Sequence, residues 1–215
     1  MAKRAIKPPF RVGLLGETPN DTTAMQALLV RRYGDRVTFF TLVRGVTGDS
    51  LKDALERKLI RREYQCERPD LVLFIRDLDA LETDRAQYRA RQREFREINA
   101  LLDGKAIYLL HIYTIEALIA AHIAVFEDHY QCQCPINGDV MLIEKPVELF
   151  KAVTKTCKKQ YKEGHCADLL AQADYDQLLA NCRYFRDFDA AFAARVPPPI
   201  VLPSKAESDA RNGIQ

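Results

Sequence analysis

Leu71-Val-Leu-Phe-Ile-Arg-Asp-Leu-Asp79 decides the fold. Its first five residues are apolar without a break, the pattern of a strand buried on both faces rather than one, and such strands sit in parallel sheets covered by helices. Pro69 and Asp70 lead into the run and acids end it. Upstream, Phe10–Leu15 (FRVGLL) is a second short apolar run, stopped by Gly16, and Arg36–Leu42 (RVTFFTL) is a third. Downstream, Asp103-Gly104 turns the chain into Ala106–Leu110, a fourth.

Helical spacing fills the intervals. Met25, Leu28, Leu29 and Tyr33 predict a helix over 22–33, with Asn20 and Asp21 as caps and Gly34 as the stop. Leu51, Leu55 and Leu59 predict one over 49–64, and Tyr88, Phe95, Ile98 and Leu102 form the narrow seam of a polar helix over 84–102. Ile115, Leu118, Ile119, His122, Ile123 and Phe126 form a wide stripe after the fourth strand. Strand and helix alternating four times predict an α/β fold, a four-stranded parallel sheet with right-handed crossovers and helices on both faces. The core is expected over residues 8–128 and the whole α/β domain over 8–143, with Val140–Ile143 as an added edge strand. A helical extension follows over 144–195, read as helices at 147–161, 167–173 and 175–194. A Pro-rich, then polar, flexible tail is expected over 196–215.

With 215 residues, 47% of them apolar and 29% charged, the chain can bury a core, which excludes collagenous, coiled-coil and wholly disordered readings. Lys+Arg 32 against Asp+Glu 30 leaves a net charge of +2, so contact with nucleic acid has to rest on local patches. The opening MAKRAIKPPF has no apolar stretch of the kind a secretory signal needs, and a cytoplasmic location is expected. Residues 106–126 match a bilayer in length, but His111, Glu116 and His122 lie within them, so a strand followed by a helix is the better reading and no membrane partner is expected. Six cysteines without a signal read as reduced thiols.

Ligands of open parallel sheets bind beyond the carboxyl ends of the strands, which gives weight to acids placed there. Glu17 follows the first strand, and Asp77 and Asp79 follow the third. In extended backbone, residues two apart share a side. Carboxylates gathered in this way repel one another unless a hard cation joins them, and Mg²⁺ or Mn²⁺ takes oxygen ligands. Such an ion can polarise a phosphoryl oxygen and generate hydroxide for phosphodiester hydrolysis. The plainer alternative is that Glu17 caps a helix and the two aspartates shape a loop.

Gly16-Glu17 after a first strand and Asp77-Leu78-Asp79 after a later one resemble the Toprim catalytic domain, a Rossmann-like core shared by topoisomerases, primases, recombination mediators and the OLD-type nucleases. The stretches GLLGETPNDTTAMQALL, LVLFIRDLDAL, LLHIYTIEALIAAH, EKPVELFK and CRYFRDF, spread over residues 11–188, are similar to compact bacterial Toprim-like proteins that accompany ATPases in phage defence. The resemblance implies an Mg²⁺-dependent nuclease acting on DNA or RNA, tRNA included, as an antiviral effector. In that scheme Glu17 handles protons near the scissile phosphate and, with Asp77 and Asp79, forms the metal set. Glu116 is a further acid of the site, and Lys145 contacts phosphate. Glu116 reads equally as an acid at a helix N-terminus, Lys145 as a surface lysine, and Asp21 chiefly as a helix cap. The chain contains no G-x-x-x-x-G-K-[ST] motif, so control by nucleotide implies a separate ABC-type or OLD-like ATPase. The alternative within the same resemblance is a non-catalytic Toprim module that binds nucleic acid or a partner protein. A phosphoryl-transfer or receiver-like domain ranks below both, because no Gly-rich phosphate loop follows the first strand.

Lys151, Lys155, Lys158 and Lys162, spaced four, three and four apart, predict a basic stripe along one helix face that can track phosphates. Arg85, Arg89, Arg93 and Arg96 make a similar stripe diluted by Glu82, Glu94 and Glu97. The lysine stripe is the better candidate of the two and reads equally as an ordinary solvated face. His122, His129, Cys132 and Cys134 suggest half of a zinc knuckle, but C-x-C is not the usual zinc spacing and His122 belongs to the apolar stripe. The sequence leaves open a monomer or a homo-oligomer.

Overall fold

The computed structural model describes residues 9–136 and 138–199, so most of the expected tail, from residue 200 on, lies outside the described residues. Four parallel strands, β1 (Phe10–Leu15), β2 (Val37–Thr41), β3 (Leu71–Asp77) and β4 (Ala106–His111), form one sheet in the order β2-β1-β3-β4. The register pairs Val12 with both Phe39 and Leu71, and Asp77 with His111. The α/β class with an all-parallel four-stranded sheet is therefore as the sequence predicts.

Helix α1 (Pro19–Tyr33) covers one face, while α2 (Ala54–Glu67) and α3 (Arg85–Leu101) cover the other. Alternate residues of β3 serve the two cores: Leu71, Leu73 and Ile75 join Met25, Leu28 and Leu29 of α1, whereas Val72 and Phe74 join Ile60, Tyr64 and Ile98. That division explains the unbroken apolar run, since neither face of the strand is free to be polar. The chain leaves β1 toward one sheet edge and β3 toward the other, which places the topological switch point between the carboxyl ends of β1 and β3.

Beyond β4 the chain is helical: α4 (Glu116–Ala121), α5 (Ile123–Tyr130), α6 (Pro146–Val153), α7 (Cys166–Leu170), α8 (Tyr175–Asn181) and α9 (Arg183–Ala193). Phe185, Phe188 and Phe192 of α9 share the α1-side core with Phe39 and Tyr33. Among the described residues, no helix is long and apolar enough to cross a membrane.

Several expected elements differ. Val140–Ile143 is no edge strand: Val140–Leu142 forms a 3₁₀ turn whose first free amide is capped by Asp139. The helix expected over 147–161 stops at Val153. There buried Thr154 donates its hydroxyl to the Phe150 carbonyl and accepts the Tyr161 amide, folding the chain back on itself. The stripe over 115–126 is broken at His122, which leaves helical backbone and accepts the Asp174 amide on Nδ1. Cys182 likewise divides α8 from α9. The helix expected over 49–64 begins as a 3₁₀ turn at Ser50–Lys52 and restarts behind the cap Asp53, which leaves Leu55 74% exposed. Helix α1 is capped by Thr18, and Asp21 is the reciprocal partner in a capping box, Thr18 N–H to Asp21 Oδ2 at 2.9 Å.

Candidate functional site at the sheet switch point

The carboxyl end of β3 delivers opposite charges to its two faces. Arg76 follows the parity of Val72 and Phe74 and enters the α3 side with only 2% of its side chain exposed; Asp77 follows Leu73 and Ile75 toward α1. Glu17, one residue past Gly16 at the end of β1, lies between them. Its Oε1 accepts the Asp77 amide at 2.6 Å, and its Oε2 pairs with the Arg76 guanidinium. The Glu17 carboxylate is thus bonded to the backbone, not the side chain, of Asp77 at the switch point.

On the α3 side the charges form a chain. Arg76 Nε donates to Glu94 Oε1 at 2.8 Å, Arg91 Nη1 to Glu94 Oε2 at 3.3 Å, and Arg91 Nη2 to Asp79 Oδ2 at 2.6 Å. Glu17, Arg76, Glu94, Arg91 and Asp79 therefore alternate in sign from β1 to the turn after β3. Burial opposes the charge on Arg76, but Glu17 and Glu94 outweigh it and raise its pKa. Arg76 also donates to the Gly48 carbonyl at 3.1 Å, and a Cβ on Gly48 would land on its guanidinium and on Glu17 Oε2. A larger residue would have to push both side chains aside.

On the α1 side the acids stand closer together than their sequence positions suggest. Asp21 is 6% exposed and Glu116 3%. Burial pushes Asp77 well above the usual carboxylate range, and Asp21, Glu17, Glu116 and Asp79 add to the push. Burial likewise drives Asp21 up to about 6 against its Thr18 hydrogen bonds. Glu116 is anchored by the Tyr161 hydroxyl, which donates to its Oε1 at 2.7 Å. His111, opposite Asp77, is buried, held neutral by desolvation with its pKa near 3, and its Nε2 has no partner among the described residues.

No family model, curated protein or solved structure matches the chain.

The expected trio is thus only partly gathered. Asp79 adopts left-handed backbone (φ 59°), its amide turned to the Tyr113 carbonyl, so the extended geometry that would set it beside Asp77 ends at the strand terminus; its carboxylate goes to Arg91 instead. Among the described residues, no three His, Cys, Asp or Glu side chains stand close enough to hold a metal ion as arranged. Glu116 lies on the α1 side with Asp77, whereas Lys145 is exposed at the start of α6, in left-handed backbone.

The lysine stripe needs correction. With α6 ending at Val153, Lys151 is on that helix and paired with Glu163 at 2.9 Å; Lys155 is in a 3₁₀ turn; Lys158 and Lys162 are on the following loop. They share no helix face. The loop still reaches the acids, because Tyr161 sits between Lys158 and Lys162 and bonds Glu116. Sequence reasoning gave Arg76 and Arg91 no role and read Glu94 only as an acid diluting the arginine stripe. One signal was present: Arg91 stands three after Tyr88 and four before Phe95, on the buried seam of α3.

Proposed function

We propose that the switch-point end of the sheet is an active site and that the protein is an Mg²⁺-dependent nuclease of Toprim type. The observation that carries the reading is the hydrogen bond from the Asp77 backbone amide to the Glu17 carboxylate, which joins the carboxyl ends of β1 and β3 at the switch point, where open parallel sheets bind their ligands. The donors there are all carboxylate oxygens, the chemistry a hard divalent cation selects. Asp77 would hold the ion together with Glu17 and with Asp79, whose side chain is 54% exposed and tethered through one oxygen and would have to leave Arg91. A bound Mg²⁺ or Mn²⁺ supplies charge for a phosphoryl oxygen and a nucleophilic hydroxide. Glu17, released from Arg76, would serve as the proton-handling group. Lys158 and Lys162 contact the nucleic-acid backbone beside Glu116, with Lys145, Lys151 and Lys155 farther along the same segment. DNA or RNA as substrate, a role in antiviral defence, a cytoplasmic setting and a separate ATPase partner follow from the family resemblance.

A second reading has its own support: Glu17 and Asp79 are each paired with an arginine, which suits a non-catalytic Toprim module whose acids hold the fold together. Calorimetry with Mg²⁺ and Mn²⁺, together with cleavage of DNA and RNA by wild type and Asp77→Asn, separates the two. Metal binding and metal-dependent cleavage, both lost in Asp77→Asn, are expected. No heat with either ion, or cleavage undiminished in the variant, rejects the nuclease reading.

A further inference from the structure

Of the two basic stripes in the sequence, folding breaks the lysine one and completes the arginine one. Helix α3 is continuous from Arg85 to Leu101, and Arg85, Arg89, Arg93 and Arg96 are all exposed on it. At 3.6 residues per turn they fall within about 80° of the helix circumference and along roughly 16 Å of its axis, opposite the buried Arg91, Glu94 and Ile98. The acids that dilute the stripe in the sequence are answered elsewhere. Glu94 turns inward to Arg76 and Arg91, Glu97 accepts from Arg57 Nη2 of α2 at 2.6 Å, and Glu82 pairs with Arg183 of α9. Asp84, beside Arg85, caps the helix, its Oδ1 accepting the Ala86 and Gln87 amides. None of the four arginines has a carboxylate partner among the described residues.

Helix stability does not account for this arrangement. A cation in the first turn opposes the macrodipole, and like charges three and four residues apart repel. A row of phosphates does account for it: the guanidinium fork matches phosphate geometry, and cations set along a nucleic-acid backbone release its counterions. The stripe also starts close to the candidate site. Helix α3 opens at Arg85, in the connection that leaves the carboxyl end of β3 just after Asp79, and runs back toward the start of β4, so Arg85 is its end nearest the switch point. We propose that the outer face of α3 binds the phosphate backbone of a nucleic acid through Arg85, Arg89, Arg93 and Arg96, without reading its sequence, and leads the strand from the switch point along the α3 side of the sheet. Nucleic acid as the partner rests on the reading above; binding along α3 does not require cleavage.

Anisotropy of fluorescein-labelled single-stranded DNA and RNA of mixed sequence, titrated with the full chain in EDTA over a series of KCl concentrations, tests this surface. Arg85→Gln, Arg89→Gln, Arg93→Gln and Arg96→Gln together should weaken binding at least tenfold at low salt, with Tm no lower than in wild type. The slope of log K against log [KCl] should shrink by about 3, four phosphates at roughly 0.7 each. Should that variant fail to fold, Arg89→Gln with Arg93→Gln reads the same surface at a slope change of about 1.4. Lysine at all four positions should keep most of the slope. Gln in place of the exposed Arg44, Lys52, Lys105 and Arg195, an equal loss of charge on other surfaces, should leave the slope nearly as in wild type. Wild type that binds neither strand, a stripe variant that binds as wild type does, or an equal loss in the control overturns the proposal. Tighter binding to phosphatidylserine vesicles than to either strand, at equal phosphate concentration, overturns it as well. Cleavage is read separately with Mg²⁺: binding through the stripe without cleavage supports the α3 surface and rejects the nuclease reading, whereas cleavage with binding indifferent to the stripe does the reverse.

Discussion

Replacing Glu94 by Ala strikes the centre of the charge chain. Glu94 is 7% exposed and pairs with both Arg76 and Arg91, whose side chains are 2% and 10% exposed. Without it two cations remain within the fold, Arg76 held by Glu17 and the Gly48 carbonyl and Arg91 by Asp79. Removing one partner of a buried pair costs about 3–5 kcal/mol, because the abandoned charge stays desolvated. For a chain of this size that corresponds to a fall in Tm of roughly 6–20 °C. Urea unfolding followed by circular dichroism measures it, with an unchanged m-value as the check that the same transition is compared. The double change Arg76→Met with Glu94→Leu removes both charges of the pair and should recover much of the loss. If Glu94→Ala costs less than about 1 kcal/mol, the magnitude of an exposed pair, then the chain is solvated and does not fasten α3 to the strand ends.

Four further outcomes follow from the same contacts. Asp21 has a native pKa near 6 against an ordinary 3.8, so the folded state binds more protons than the unfolded one; stability falls as pH rises through about 4 to 6, by on the order of 3 kcal/mol, and Asp77 carries the loss to higher pH. Guanidinium unfolding across that range should show greater stability toward its acid end, and Asp77→Asn should be more stable than wild type at pH 7.5. Tyr161→Phe leaves Glu116 without its donor and should cost about 1–3 kcal/mol in the same unfolding experiment. Gly48→Ala should lower Tm by displacing Arg76 and Glu17, and should do so far less when combined with Arg76→Met. Lys158→Glu with Lys162→Glu should weaken binding to labelled single-stranded nucleic acid at least tenfold at low salt and flatten its salt dependence, with Tm unchanged.

The sheet was legible because its strands are short apolar runs between turn residues, and β3, buried on both faces, has no amphipathic alternative to mislead the reading. The helices after β4 were less so. The apolar spacing runs through His122, Thr154 and Cys182, and the breaks come from tertiary hydrogen bonds, the Asp174 amide on His122 and the Tyr161 amide on Thr154, which no local pattern reports. Leu55 illustrates the converse: it fits the helical stripe and is left in solvent, because the helix begins only after Asp53 and is rotated accordingly.

At the site the legible part was the placing of acids at strand ends, and the missing part was which cations answer them. Alternation along a strand holds only while the backbone is extended, and Asp79 leaves that region, so two aspartates that look like one pair act on opposite sides of the sheet. The same loss of extension makes the site intelligible. Asp77 remains among carboxylates on the α1 side, where a proton or a cation has to neutralise it, while Glu17 and Asp79 close the two ends of a chain of ion pairs on the α3 side. On the proposed reading, a divalent ion held by Asp77 would have to draw Glu17 from Arg76 and Asp79 from Arg91. Its capture would then be coupled to the fastening of α3, and calorimetric ion binding and the stability of that helix should change together in variants of Arg76, Arg91 or Glu94.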